Sequence, residues 1–280
     1  MTRGKQLQHA LMGITAAVLI GAHVMPGYAE PGPVMAATVS FVRGDSAAPS
    51  VMTAVRAARS LSAETEAALA ALASEVRTTS HPRALEDAFR GYFAYRAAHP
   101  DAGDNPYLYF VDYGLPSSTP RGYVFDMKRL AVVDGPFTVA HGRGSAASPD
   151  GVPRRFSNRT GSAATSLGLF VAQELYAFRG KSAGQAYRSV GLRLKGVSGA
   201  WNDNARARGV VAHGAPYVTA AKAGRSEGCP AVEPGRAERL LPKLANGGMV
   251  FLFAPDEDWM ARDPWLAAAS AEAVGSAVAG

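Results

Sequence analysis

From Tyr107 onward the apolar residues come in short runs separated by Gly, Pro, Ser and Asn, the pattern of strands between turns. Tyr107 to Asp112, Arg121 to Asp126, Ala131 to His141 with a break at Gly135-Pro136, Leu167 to Ala172, Gly191 to Leu194, Gly209 to His213 and Met249 to Ala254 are the predicted strands. Upstream the period is helical. Leu61, Leu69, Leu72 and Val76 share one face of a helix, and Leu85, Ala88, Phe89, Tyr92 and Phe93 form a second stripe after the start signals Ser80 and Pro82. The segment His99 to Pro106 ends that second helix. Two more helices are expected at Ala200 to Arg208 and at Pro234 to Leu244, where Pro234 suits the first turn. Closely spaced strands with few helices predict an α+β chain. Its main part is a mainly antiparallel β-sandwich or barrel-like domain, preceded by a short α-helical region, and not a doubly wound sheet. No internal repeat is found.

The first thirty residues have a different pattern. Arg3 and Lys5 precede the uncharged run Leu11 to Ala22, and Gly27-Tyr28-Ala29 offers small residues for cleavage, so residues 1–29 read as a signal peptide. The run is shorter than the ~18 to 20 residues of a membrane span. No stable membrane anchor is expected after cleavage, and the mature chain is expected to be exported. Residues 30–60, rich in Ala, Pro, Gly and Ser, read as a flexible tether. The expected organisation continues with a helical region at 61–104, a β-rich domain at 105–255 and a C-terminal tail at 256–280.

Composition narrows the chemistry. With 48% hydrophobic residues and 19% charged ones, the chain is too apolar to be disordered. Losing Arg3 and Lys5 with the signal lowers the net charge from +6 to +4, and no dense Lys/Arg block exists, so nucleic acid is not an expected partner. A single Cys excludes an internal disulfide framework and the thiolate sets of zinc fingers and iron–sulfur clusters.

Three local patterns fail on context. Gly142-x-Gly144-x-x-Ala147 imitates a dinucleotide fingerprint, but Pro149 and Pro153 forbid the helix that would hold the pyrophosphate. Gly224-Arg225-Ser226-Glu227-Gly228 imitates a serine-hydrolase elbow, yet the last His of the chain, His213, precedes it and Pro230 interrupts the helix that should follow. His141, His213 and Cys229 lack a carboxylate at ligand spacing. Neither a metal nor a cofactor is expected.

The fourth pattern is His213-Gly214 at a strand end, followed by Cys229 sixteen residues after His213 in Ser226-Glu227-Gly228-Cys229-Pro230. A lone thiol is either inert or reactive, and a Cys nucleophile needs an imidazole to take its proton. Gly228 allows a tight turn that brings backbone N–H groups to the reacting carbon. Because Pro230 has no N–H, the oxyanion donors come from Cys229, Gly228 or Glu227.

His213-Gly214 with Ser226-x-Gly228-Cys229 resembles the catalytic signature of the L,D-transpeptidase (YkuD-type) family, in its murein L,D-transpeptidase catalytic domain branch. Supporting stretches are Asp112 to Arg121, Ala140 to Ser145, Phe156-Ser157-Asn158, Gly161 to Leu169, Trp201 to Ala205 and Arg208 to His213, so the resemblance covers about residues 105–255. It implies a β-rich fold and attack by the Cys on peptidoglycan stem peptides, between diaminopimelate and the terminal D-Ala. The thioester then passes to an amine of another stem. By this resemblance Cys229 is the nucleophile, His213 the general base and later acid, and Ser226 and Gly228 shape the loop and oxyanion site. Many members carry an Arg shortly after the Cys, where this chain has Pro230-Ala231-Val232, so carboxylate binding is expected of Arg225 or Arg143. Gly214 leaves room beside His213. His141 either lines the cleft or is a strand-end His satisfied by backbone groups. Two alternatives share these residues: a hydrolase that releases the thioester to water, and a non-catalytic wall-binding module, which would not require both His213 and Cys229.

Overall fold

The computed structural model describes residues 51–148 and 151–267. The expected signal peptide, residues 30–50 of the tether and residues 268–280 of the tail lie outside the described residues. In chain order the elements are α1 (Val51–Leu72), α2 (Ala84–Ala98), β1 (Tyr107–Asp112), β2 (Gly122–Asp126), β3 (Ala131–Phe137), β4 (His141–Gly142), β5 (Gly168–Ser182) and β6 (Gln185–Gly196). They continue with β7 (Val211–Gly214), β8 (Arg225–Ser226), β9 (Ala231–Val232), α3 (Pro234–Leu244), β10 (Met249–Phe253) and α4 (Glu257–Arg262).

One eight-stranded sheet has the order β3-β2-β1-β10-β5-β6-β7-β9, and β4 and β8 form a separate two-stranded ribbon. The α+β class with a helical N-terminal region is as expected. The sheet is mixed, however: β1 pairs parallel with β10, and β7 parallel with β9. The central strands β1 and β10 are almost wholly buried, which explains why YLYFVD and MVFLF are continuous apolar runs. Helix α3 buries Ala237, Leu240, Leu241 and Leu244, an i, i+3, i+4, i+7 stripe. Each such Leu stabilises the fold by roughly 1.5–3 kcal/mol relative to exposure.

Several boundaries are corrected. Helix α1 starts at Val51, so residues 51–60 are not tether; Met, Ala and Arg in MTAVRAAR are good helix formers, and a composition-based reading overlooks that. Helix α2 is entered through Arg83, not Ser80. Ser80 binds Asp112 instead, its N–H donating to Oδ2 at 2.7 Å and its Oγ to Oδ1 at 2.6 Å, which ties the helical region to the end of β1. Strand β3 runs through Gly135-Pro136, a position Pro tolerates because β3 is the sheet's edge. Residues Ala200 to Arg208 are not a helix beyond the short 3₁₀ turn Gly199–Trp201. The Asn202 side chain there accepts from Ser198 N–H and donates to the Leu167 and Leu169 carbonyls, so local bonds replace the helical ladder. The tail begins with α4, whose Trp259 is fully buried against Phe251 and Phe253 at 5.8 and 5.7 Å between ring centroids. Asp256 caps this helix by accepting from Trp259 N–H at 3.0 Å.

The largest extension is the β5–β6 hairpin, of which the sequence pattern showed only the buried base, Leu167–Ala172 and Gly191–Leu194. Its outer part alternates half-buried and exposed positions. The turn residues Ala183 and Gly184 have φ +48° and +79°, the geometry of a two-residue primed turn that an Asn-Gly pair would have announced.

Candidate active site

Strand β7 carries His213 and lies beside β9 with His213 in register with Ala231. The His213 N–H also points to the Pro230 carbonyl at 3.4 Å. Cys229 precedes β9 by two residues, and its thiol meets the Val211 backbone N–H and lies 4.0 Å from the Gly209 carbonyl.

The turn that presents Cys229 is closed by Ser226. Its Oγ donates to the Cys229 carbonyl at 2.7 Å and accepts the Gly228 N–H at 3.1 Å. Gly228 has φ +123°, and a Cβ on it would stand 2.8 Å from the Ala164 carbonyl. Glycine is needed here for both conformation and space. The ribbon β4–β8 supports the turn from the other side, with the Arg143 N–H donating to the Ser226 carbonyl at 2.8 Å. Since the Gly228 N–H is spent on Ser226, the three expected oxyanion donors reduce to Cys229 and Glu227.

His213 is buried. Its Nδ1 lies 3.0 Å from the Gly214 carbonyl, and its ring stacks on Phe178 of β5 at 4.1 Å. A carbonyl only accepts, so Nδ1 carries the proton and Nε2 presents a lone pair. Burial, opposed only by the Gly214 carbonyl, lowers the His213 pKa from 6.5 to about 4. Burial also pushes the Cys229 thiol above its ordinary value, the Val211 N–H and the Arg208 cation pull it down, and Glu227 raises it.

Cys229 is half-buried and opens into a cavity of about 330 Å³ that is also lined by Arg143, Arg208, Glu227 and Thr160. Arg143 Nε pairs with Glu227 Oε1 at 2.7 Å, and both side chains are well exposed. Arg225 is not part of the lining; its Nη1 faces the Ala146 and Ala147 carbonyls at 3.4 Å each. Like His213, Gly214 is not among the residues that line the cavity. A Cβ there would meet Ser189 Oγ at 2.4 Å and Pro234 Cα at 2.9 Å, so this glycine serves close packing against β6 and the start of α3.

His141 is fully buried and is not among the residues that line this cavity. Its partner is the Arg121 guanidinium, not backbone, with Nη2 donating to Nδ1 across 3.0 Å. Burial first, then Arg121 and Arg225, lowers its pKa to about 3. The Arg121 Nε and Nη2 donate to the Val139 carbonyl, and the pair forms a buried polar support behind β4.

One residue of the site escaped the sequence reading. The Arg208 Nη1 donates to the Ser157 carbonyl at 2.7 Å and Ser166 Oγ at 2.5 Å, and Nη2 to Ser162 Oγ at 3.2 Å and the Ala164 carbonyl at 2.8 Å. The helix expected at Ala200 to Arg208 concealed it, although it opens the stretch Arg208 to His213 that carried part of the resemblance. Among the described residues no group of three or more His, Cys, Asp or Glu is placed to hold a metal ion.

Known proteins show the same class. A family model described as the L,D-transpeptidase catalytic domain matches residues 77–253, well over half of the chain, and the chain belongs to that family. The match starts before residue 105, so α2 is part of the family unit. A search of curated protein sequences finds no match. Among solved structures, an L,D-transpeptidase from Mycobacterium smegmatis is similar at 15% identity and TM-score 0.31, over 53% of this chain and 59% of that one. One from Xylanimonas cellulosilytica is similar at 15% identity and TM-score 0.32, over 57% and 69%. L,D-transpeptidase 3 from Mycobacterium tuberculosis, in complex with a faropenem-derived adduct, is similar at 13% identity and TM-score 0.28, over 52% and 60%. The chain thus spans less than two thirds of the length of the first of these.

Proposed function

We propose that the chain is an exported cysteine transpeptidase acting on peptidoglycan stem peptides, with Cys229 as nucleophile and His213 as base. The observation that carries this reading is the half-buried thiol on a Ser226-braced turn, opening into a cavity beside the strand that ends in an oriented, neutral His213. His213 Nε2 takes the thiol proton, and the sulfur attacks the carbonyl carbon between diaminopimelate and the terminal D-Ala. The N–H groups of Cys229 and Glu227 are the donors available to the resulting oxyanion. The C–N bond breaks as the D-Ala nitrogen receives the proton from His213, leaving a thioester. An acceptor amine then attacks the thioester, His213 takes its proton, and the thiol is restored as the new amide leaves. Arg143 binds a substrate carboxylate by exchanging Glu227, since both partners are exposed and water screens such a pair strongly.

Purified chain lacking residues 1–29, incubated with defined muropeptides, is expected to release D-Ala and form cross-linked products resolved by mass spectrometry. Cleaved monomers without cross-links would assign the thioester to water and make the chain a hydrolase. Cys229→Ala protein that still converts muropeptides would end the proposal. Export is checked separately: exported protein should begin near Glu30, and Met1 found intact would oppose it.

A further inference from the structure

The site contains a charge that the reaction scheme does not use. Both Nη atoms of Arg208 are committed to four oxygen acceptors, two carbonyls and two hydroxyls, and none of these is a carboxylate. Its cation is therefore held in place but not neutralised. Its open donor capacity is at most Nε–H, so it is a fixed charge and not a free fork for a substrate carboxylate. It lines the same cavity as Cys229, and Nη2 lies 3.5 Å from the position a Gly228 Cβ would take. The imidazole is placed differently. His213 is buried against the Phe178 ring, and this burial opposes an imidazolium more than the Gly214 carbonyl on Nδ1 favours one.

We propose that Arg208 is the standing counter-charge of the Cys229 thiolate, so that Cys229 and His213 rest as a neutral pair and not as a thiolate–imidazolium ion pair. The inference rests on Cys229 being the nucleophile. The remaining groups that face the thiol do not supply a cation. Glu227 from its own turn is an acid paired with Arg143, and Tyr113 after β1, Tyr176 of β5, Tyr187 of β6 and Tyr217 after β7 are held neutral by burial. Lowering of the thiol by Arg208, and the low basicity of His213, agree with this division of roles.

Cys229 is the chain's single cysteine, so alkylation can be followed by intact mass without ambiguity. The rate of iodoacetamide labelling against pH is measured for wild type, Arg208→Met, Arg208→Lys and His213→Ala, with circular dichroism and melting curves as the check on folding. Arg208→Met is expected to move the profile about one pH unit upward, a tenfold slower labelling below the midpoint. Arg208→Lys keeps the charge without the four hydrogen bonds and should stay within about threefold of wild type. His213→Ala should leave the midpoint close to wild type. A profile for Arg208→Met that superimposes on wild type overturns the inference. So does a folded Arg208→Lys shifted as far as Arg208→Met, or a His213→Ala shift as large as that of Arg208→Met. Should Arg208→Met fail to fold, Arg208→Gln takes its place, and a shift of about one pH unit in either Arg208→Lys or His213→Ala overturns the inference by itself. No stem peptide enters this assay, so it can fail while muropeptide conversion succeeds, and the reverse.

Discussion

Ser226 does more at the site than its position in a serine-elbow imitation implied. Its hydroxyl bridges the Gly228 N–H and the Cys229 carbonyl and so sets the direction in which the thiol points. Ser226→Ala removes two hydrogen bonds worth about 0.5–1.5 kcal/mol each. It should lower turnover at least about tenfold while leaving most of the melting temperature, whereas Cys229→Ser should lose turnover by orders of magnitude with the fold intact. A Cys229→Ser protein that melts far below wild type and keeps its activity would return the thiol to a packing role. The two buried histidines also have a stability signature. Both pKa values are lowered, His213 to about 4 and His141 to about 3, so the folded protein refuses protons that the unfolded chain accepts below about 6.5. Stability is therefore expected to fall as pH drops from 6.5 toward 4 and then 3, measured as urea midpoints across that window. His213→Gln should flatten the upper part of the slope.

At the scale of elements, the β5–β6 hairpin reaches past its buried base to put Phe178 over the His213 ring. Removing that ring by Phe178→Ala opens the imidazole to water. The His213 pKa should rise from about 4 toward its ordinary value, read by NMR titration of the ring protons. An unchanged titration would mean that other groups exclude water from His213. The hairpin's role was illegible because its outer part is half exposed and turns at Ala183-Gly184 without an Asn-Gly pair, and because its partner His213 lies far away in sequence. Strands β7 and β10 and helix α3, by contrast, were legible: β10 is a central, buried strand, and α3 starts at Pro234 and carries a strongly one-sided apolar stripe.

Across the whole molecule, the folded unit exceeds the catalytic segment marked out by motifs. Ser80 is tied to Asp112, and Trp259 sits in the core with Nε1 donating to Asp263 at 2.9 Å. Trp259→Ala should cost about 3–5 kcal/mol, and a chain ended after Pro255 should lose stability to a similar degree in thermal melts. A truncated chain as stable as wild type would show α4 to be dispensable.

What the sequence determined by itself is local or compositional. Apolar runs of strand length, a helix-spaced stripe, the requirement for glycine before a single Cys, and Pro230 without an N–H all act within a few residues of themselves. They singled out Cys229, His213 and Gly228 as candidates, and the family resemblance added the expected role of Ser226. Only the tertiary structure decided which cation stands beside the thiol. Arg143, Arg208 and Arg225 are equivalent in one dimension, but Arg143 is neutralised by Glu227, Arg225 faces away from the cavity lining, and Arg208 is fixed by Ser157, Ser162, Ala164 and Ser166. Those partners lie 42 to 51 residues from Arg208. The same holds for His141, which took Arg121 as a buried partner. Charge pairing and burial are three-dimensional sums over distant segments, and no periodicity encodes them.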